Sequence, residues 1–244
     1  MKKLILHIPH SSTNIPFSKG YVDDKTKIQK EIIKLTDWYT DELFYSDYDE
    51  MIITPFSRLF CDVERFENDE DEIMSKVGMG VLYKNFDDGS LLRKVSPALH
   101  SRIIRDYYWK HHNTLLREVN KQIVNEGSCL IVDCHSYPSK PLIRDLDQTS
   151  TRPNFNIGID KYHTPQKLID TSIKYFEQKG FSIGVNWPYK GTIIPLAHYQ
   201  KNKNVHSIML EVNRNLYLNE PSNEKSERFN EISEIVKSYL EWIR

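Results

Sequence analysis

A chain of 244 residues with 39% hydrophobic and 27% charged side chains can bury one large core, which excludes a disordered or fibrous protein. Its formal net charge of −1 lacks the basic excess that nucleic-acid binding needs, and no run approaches the roughly 20 apolar residues of a membrane span. Cys61, Cys129 and Cys134 make an odd set without paired spacing, so a reducing, cytoplasmic setting without disulfides is expected.

The start, Met1-Lys2-Lys3, is followed by an apolar run that stops at His7, too short for a signal-peptide core. Residues 4–8 read as a buried strand that ends in Pro9-His10-Ser11-Ser12, a polar turn of the kind that carries ligands in open α/β sheets. Asp23 or Asp24 caps a predicted helix running to about residue 45, with Ile28, Ile32, Leu35 and Tyr39 on one face and Asp37 close to it. Two short strands are predicted at residues 51–54 and 59–63. The acidic run 67–72 reads as a solvated loop, and 78–90, with its glycines and Asp87-Asp88-Gly89-Ser90, as a hairpin-like excursion or flap.

The clearest helix begins at Ser96-Pro97 and ends at Gly127. A strand at 129–133 follows at once and delivers Cys134-His135-Ser136 to a turn, repeating the device of the first strand. Beyond it, the pattern gives strands at 155–159, 181–185 and 205–212, a helix from Thr164-Pro165 to Gly180, and a terminal amphipathic helix carrying Phe229, Ile232, Val236, Leu240 and Ile243. No linker, repeat or low-complexity tract divides residues 1–244, so one catalytic domain is expected. The alternation of helix and strand predicts an α/β fold, a three-layer α/β/α sandwich around a mainly parallel mixed sheet.

Two strands that each deliver a His-Ser pair invite a metal centre. A hydrolytic zinc site needs about three protein ligands and one open position, and His10, Asp37 and His135 offer a His-Asp-His set. Glu211, at the end of the 205–212 strand, is the candidate to take the proton of the attacking water and return it to the leaving amine. The bland readings stand beside these: a turn histidine is usually hydrogen-bonded surface, Asp37 an ordinary helix acid, and Glu211 a salt-bridge partner of Arg214. Asp133 lies on the same strand face as His135 and can orient an imidazole, while Cys134 points the opposite way. His7 reads as packing beside the sheet and His111-His112 as a solvated pair. Arg58, Arg65 and Arg214 are the cations available for a carboxylate or an oxyanion. Residues 186–192 form a polar loop in which Gly191 permits close backbone approach.

Taken together, the segments Ile8-Pro9-His10-Ser11, Thr36-Asp37-Trp38, residues 57–66, residues 80–83, Asp133-Cys134-His135-Ser136, residues 186–191 and residues 211–217 run in one order along nearly the whole chain. In that order they resemble the N-formylglutamate amidohydrolase family. The resemblance implies a zinc carboxypeptidase-like fold and hydrolysis of the formyl amide of N-formyl-glutamate. It implies one Zn²⁺ at His10, Asp37 and His135, with Glu211 as general base and acid. Arg58 falls to the catalytic group, and Arg65, Asn186, Tyr189, Gly191 and Arg214 to substrate binding. The partner implied is a small N-acyl amino acid, with no nucleic acid and no membrane. Where the family usually carries Asp-Val-Asn-Arg, this chain has Asp62-Val63-Glu64-Arg65, and a Glu64 carboxylate facing the pocket would repel an anionic substrate. The competing readings are a carboxypeptidase-like peptidase or amidase on longer substrates and a catalytically silent homologue that binds an amino acid.

Overall fold

The computed structural model describes residues 2–220 and 222–244; Met1, the first residue of the lysine-rich start, lies outside them. Six strands form the main sheet: β1 (Ile5–Ile8), β2 (Glu50–Ile53), β3 (Cys129–Tyr137), β4 (Phe155–Gly158), β5 (Ile183–Val185) and β6 (Val205–Asn213), in the order β2-β1-β3-β6-β4-β5. β2, β1, β3 and β6 are parallel neighbours, whereas β4 runs antiparallel to β6 and parallel to β5. A separate ribbon pairs β7 (Leu218–Asn219) with β8 (Glu224–Lys225).

Helices cover both faces, as the helix–strand alternation predicts. Leu6, Ile8, Val132, Cys134, Ile208 and Leu210 pack with Ile169 and Phe176 of α5 (Gln166–Gln178) and with Ile232, Val236 and Leu240 of α6 (Phe229–Ile243). The alternate residues Ile5, Ile131 and Val205 pack on the other face against Leu115 and Val119 of α4 (Trp109–Glu126). Full burial of each such side chain contributes roughly 1.5–3 kcal/mol, and strand alternation assigns each one to its face.

The long helix is built as the sequence indicates. The Ser96 hydroxyl accepts from the Leu99 amide at the start of α3 (Pro97–Ile103), and Gly127 closes α4 in the left-handed conformation. A π-helical stretch, Ile104–Tyr108, joins the two pieces.

Four expectations are corrected. The first helix does not reach residue 45: α1 (Lys25–Leu35) stops at Thr36, whose backbone is extended, and a four-residue α2 (Thr40–Leu43) starts after Tyr39 in the left-handed region. Residues 59–63 are not a strand. Their apolar side chains are buried, yet the Phe60 and Cys61 amides donate to the Ser57 carbonyl in a turn. Residues 78–83 are no flap, because Met79, Val81, Leu82 and Tyr83 are buried. The acidic run is only partly solvated, since the Glu72 carboxylate accepts from the Phe66 and Met74 amides.

Candidate metal centre

The residues that carry chemistry lie on the α4 face of the sheet, in two rows near the strand ends. Register puts His7 of β1 beside Asp133 of β3, and Asp133 beside Met209 of β6. Two residues further along, His135 of β3 is beside Glu211 of β6, which is beside Asn156 of β4. Below both rows the same face is apolar at Ile5 and Ile131, so the side chains change from core to chemistry over one strand repeat. β1 pairs with β3 only as far as Asp133, so the overhanging end of β3 and the turn after β1 leave a crevice between them. Chain order reverses between these strands, with β2 on one side of β1 and β3 on the other, and this is where open α/β sheets bind ligands.

Asp37 reaches that crevice because α1 breaks. Had the helix continued, Asp37 would have stayed beside its surface stripe. Instead the Asp37 amide donates to the His10 carbonyl at 3.0 Å, which ties the break to the turn after β1. Asp37 Oδ2 lies 3.2 Å from His135 Nδ1 and 3.7 Å from His10 Nδ1. The two imidazole rings are 5.1 Å apart between centroids. His10 Nδ1 is buried and has no hydrogen-bond partner.

These features fit a divalent cation. Tetrahedral Zn²⁺ with ligands at about 2.0–2.2 Å separates its ligand atoms by roughly 3.3–3.6 Å, and two nitrogens with a carboxylate oxygen are an ordinary donor set for a hydrolytic zinc. An orphaned buried ring nitrogen costs stability unless something accepts its lone pair.

The outer partners of the three side chains are equally ordered. His10 Nε2 lies 2.9 Å from Asp62 Oδ1, and His135 Nε2 lies 2.9 Å from Glu64 Oε2 and 3.2 Å from Asp133 Oδ1. With the protons on Nε2, each imidazole donates to a carboxylate and turns its Nδ1 lone pair toward Asp37. Arg214 holds the acid: Nη2 donates to Asp37 Oδ1 at 3.0 Å, while its other nitrogens reach the Lys34 carbonyl and Ser136. Burial opposes ionisation of Asp37, but His10, His135 and Arg214 outweigh it and hold the carboxyl well below its usual range. Burial would lower the His135 pKa, yet Glu64 and Asp133 hold it well above normal while no cation is bound.

Glu211 is buried beside His135, and its Oε2 has no hydrogen-bond partner. Burial pushes its carboxyl up to about 8, with the His135, Arg214 and Arg58 charges pulling the other way. Arg58 stands across the crevice, donating from Nε and Nη2 to Asp62 Oδ2, which also accepts from the Tyr83 hydroxyl at 2.8 Å. The Arg58 charge acts on both Asp37 and Glu211.

A cavity of about 360 Å³ adjoins this group on the side of the lower row. Glu64, Arg65, Asp133, Gly191 and Met209 all line it. The remaining expected contacts fall elsewhere. Asn186 Oδ1 accepts from the Ile159 and Gly191 amides and so shapes its own loop. Tyr189 donates to Asp145 and accepts from Arg152. Arg214 is buried against Asp37 and Ser136, away from the cavity lining, so the salt bridge to Glu211 is not formed and the guanidinium is committed to the acid.

Sequence reasoning gives no role to Asp62 and Tyr83, and it reads His7 as packing and His111 as solvated. His7 does not merely pack: Nδ1 lies 2.8 Å from Asp133 Oδ1 and Nε2 lies 2.8 Å from His111 Nε2. His111 and His112 are not a solvated pair. His111 is buried against His7 and Thr54, and His112 Nε2 donates to the Val63 carbonyl. Burial, with His7 nearby, lowers the His112 pKa to about 4. The signal available for Asp62 was a single carboxylate inside the apolar run Leu59-Phe60-Cys61-Asp62-Val63, which needs a buried partner. Among the described residues, a second His-carboxylate group, His7, Glu64 and Asp133, also has cation-compatible spacing.

Comparison with known proteins agrees with this architecture. The structure of an N-formylglutamate amidohydrolase from Ralstonia eutropha superposes with a TM-score of 0.84 at 21% identity, over 98% of this chain and 92% of that one. A gene product of Agrobacterium tumefaciens superposes at 0.71 with 15% identity, over 100% and 90%. N-formylglutamate deformylases of Pseudomonas aeruginosa and Pseudomonas putida are 23% and 22% identical, each over 89% of this chain and 82% of their own length. Residues 2–218 match the family model for N-formylglutamate amidohydrolase, and the chain belongs to that family.

Proposed function

We propose that the protein is a zinc-dependent amidohydrolase that cleaves the amide of an N-formyl amino acid, releasing formate and the free amine. The family and the deformylases it resembles support hydrolysis of a linear C–N amide bond. The observation that carries the metal dependence is the buried, partnerless Nδ1 of His10, facing Asp37 and the Nδ1 of His135. His10, Asp37 and His135 would hold the ion. Bound there, Zn²⁺ supplies Lewis-acid polarisation of the amide carbonyl and brings water close to its deprotonation point at neutral pH.

The chain's own side chains do the rest. Glu211 Oε2 takes the proton from the attacking water and delivers it to the amine nitrogen as the C–N bond breaks. Its near-neutral affinity for a proton suits both transfers. Arg58 keeps two of its nitrogens on Asp62 and, among the described residues, Nη1 makes no hydrogen bond, so this N–H can stabilise the developing oxyanion. Asp62 and Asp133 fix the imidazoles, and Arg214 fixes Asp37.

No helix among the described residues is long and apolar enough to cross a membrane, and Cys61, Cys129 and Cys134 are free and buried. A cytoplasmic, reducing setting accords with those thiols. The test is formate release from N-formyl amino acids by zinc-loaded protein. Turnover that disappears on chelation and returns with Zn²⁺ supports the reading; turnover indifferent to chelation, or none in fully loaded protein, rejects it.

A further inference from the structure

The amide reaction fixes one end of a substrate; the cavity beside it fixes the other. Asp133 and Met209, which line the cavity, lie two residues before His135 and Glu211 on the same face of β3 and β6, a step of roughly 6.6 Å along the strands. A substrate whose amide lies against His135 and Glu211 therefore drops its amino-acid side chain into this cavity. At about 360 Å³ the space is ample for a side chain, and Val63, Ile193, Ile194 and Met209 give it apolar walls for a methylene stem.

Its polar groups decide what the stem can end in. Asp133 is fully engaged by His7, His135 and the Ile193 amide. Asp160 Oδ1 accepts from the Tyr162 and His163 amides. Glu64 differs: Oε2 is held by His135, while Oε1 is buried 3.5 Å from His7 Nδ1, whose proton goes to Asp133, and makes no hydrogen bond. An ionised carboxylate oxygen only accepts, so an occupant of the cavity that satisfies it must bring an N–H or O–H. Beside it stands Arg65, whose Nη1 donates to the Glu64 carbonyl and whose Nε is buried without a hydrogen bond, 3.9 Å from Asp62 Oδ2. One guanidinium with donors left over matches one carboxylate, the α-carboxylate of an amino acid. Among the described residues no second buried lysine or arginine lines the cavity, since Lys190 at its rim is exposed and Arg214 is committed to Asp37.

Resting on the amidohydrolase reading above, we infer that the cavity selects N-acyl amino acids whose side chains end in N–H donors, an amide or a basic group, over N-acyl-glutamate, with Glu64 as the residue that sets the choice. A glutamate side chain would place a second carboxylate against Glu64 Oε1 with no cation between them.

The experiment compares kcat/KM of zinc-loaded wild-type and Glu64→Gln protein on N-formyl-glutamate, -glutamine, -leucine, -lysine and -arginine. The substitution keeps an oxygen for His135 Nε2, and metal content is checked for both proteins. The wild type is expected to favour glutamine or the basic side chains over glutamate at least ten-fold; the glutamine and basic arms separate an amide from a cation. E64Q is expected to raise the glutamate value and to lower those of lysine and arginine. A wild type that prefers formyl-glutamate, or a glutamate-to-lysine ratio unchanged by E64Q, overturns the inference. Should loaded protein hydrolyse none of the five, the amidohydrolase reading fails by itself. Calorimetric binding of free glutamate, glutamine and lysine then decides, with tighter glutamate binding to the wild type counting against the inference.

Discussion

Two groups of similar residues sit within one strand repeat of each other, and they differ in what is left over. His10, Asp37 and His135 have carboxylates behind the imidazoles and an arginine behind the acid; Asp37 Oδ2 faces His135 Nδ1 at 3.2 Å and the Ser136 amide, yet His10 Nδ1 has no hydrogen bond. In the group His7, Glu64 and Asp133, His7 is satisfied at both nitrogens, by Asp133 and by His111, at 2.8 Å each. The spacing of potential ligands is cation-compatible in both. Glu64 Oε1 in the second group also lacks a hydrogen bond, so it is the unengaged imidazole nitrogen, rather than spacing, that distinguishes the metal centre from the network, which holds the centre in place through Asp133.

The largest way to break that contrast is to remove a ligand. His135→Ala or His10→Ala is expected to reduce bound zinc from about one per chain to none and to bring turnover to background, read by elemental analysis and formate release. Glu211→Gln is expected to keep the metal but lower kcat by a factor of roughly 10²–10⁴, the worth of a positioned proton acceptor. An E211Q protein with wild-type kcat would remove Glu211 from the mechanism. Asp62→Asn leaves His10 without its carboxylate and is expected to weaken zinc affinity by about 10–100-fold, measured by competition with a chelator.

The pH dependence of stability sharpens the contrast without touching a ligand. In metal-free protein the Glu211 carboxyl titrates near 8 rather than 4.5 because it is buried. Between those values the folded chain keeps a proton that the unfolded chain has released, so stability falls as pH rises from about 4.5 to 8, by a few kcal/mol. Denaturant unfolding with chelator present is expected to show a shallower decline for E211Q in that window. An equal decline would assign it to other groups. The smallest effect belongs to the second group: His7→Asn is expected to cost about 1–3 kcal/mol of stability by orphaning His111, with zinc still near one per chain.

Much of this was legible in residue order. The apolar runs before His10 and His135 announced buried strands, although β3 continues through His135 and Ser136 to Tyr137 where a turn is expected from 134, and β6 carries Glu211 near its end as its pattern indicated. The break in the first helix was not legible, because Leu35 and Tyr39 keep helical spacing across it. What ends the helix is a hydrogen bond from Asp37 to His10, far away in sequence. The run 59–63 has strand composition but no strand to pair with; it is buried as turns, which brings Asp62 inward. His111 and His112 lie on what reads as the polar face of a surface helix. That face meets His7 and the Val63 carbonyl instead of water, a contact that only the packing of α4 on the sheet supplies.

The central claim is that a divalent cation belongs to the first of the two groups and not the second. Anomalous diffraction at the zinc edge, from crystals of zinc-loaded protein, tests it most directly. One peak is expected, about 2.0–2.2 Å from His10 Nδ1, His135 Nδ1 and an Asp37 oxygen. A peak among His7, Glu64 and Asp133 instead, or no peak between the two imidazoles, contradicts it.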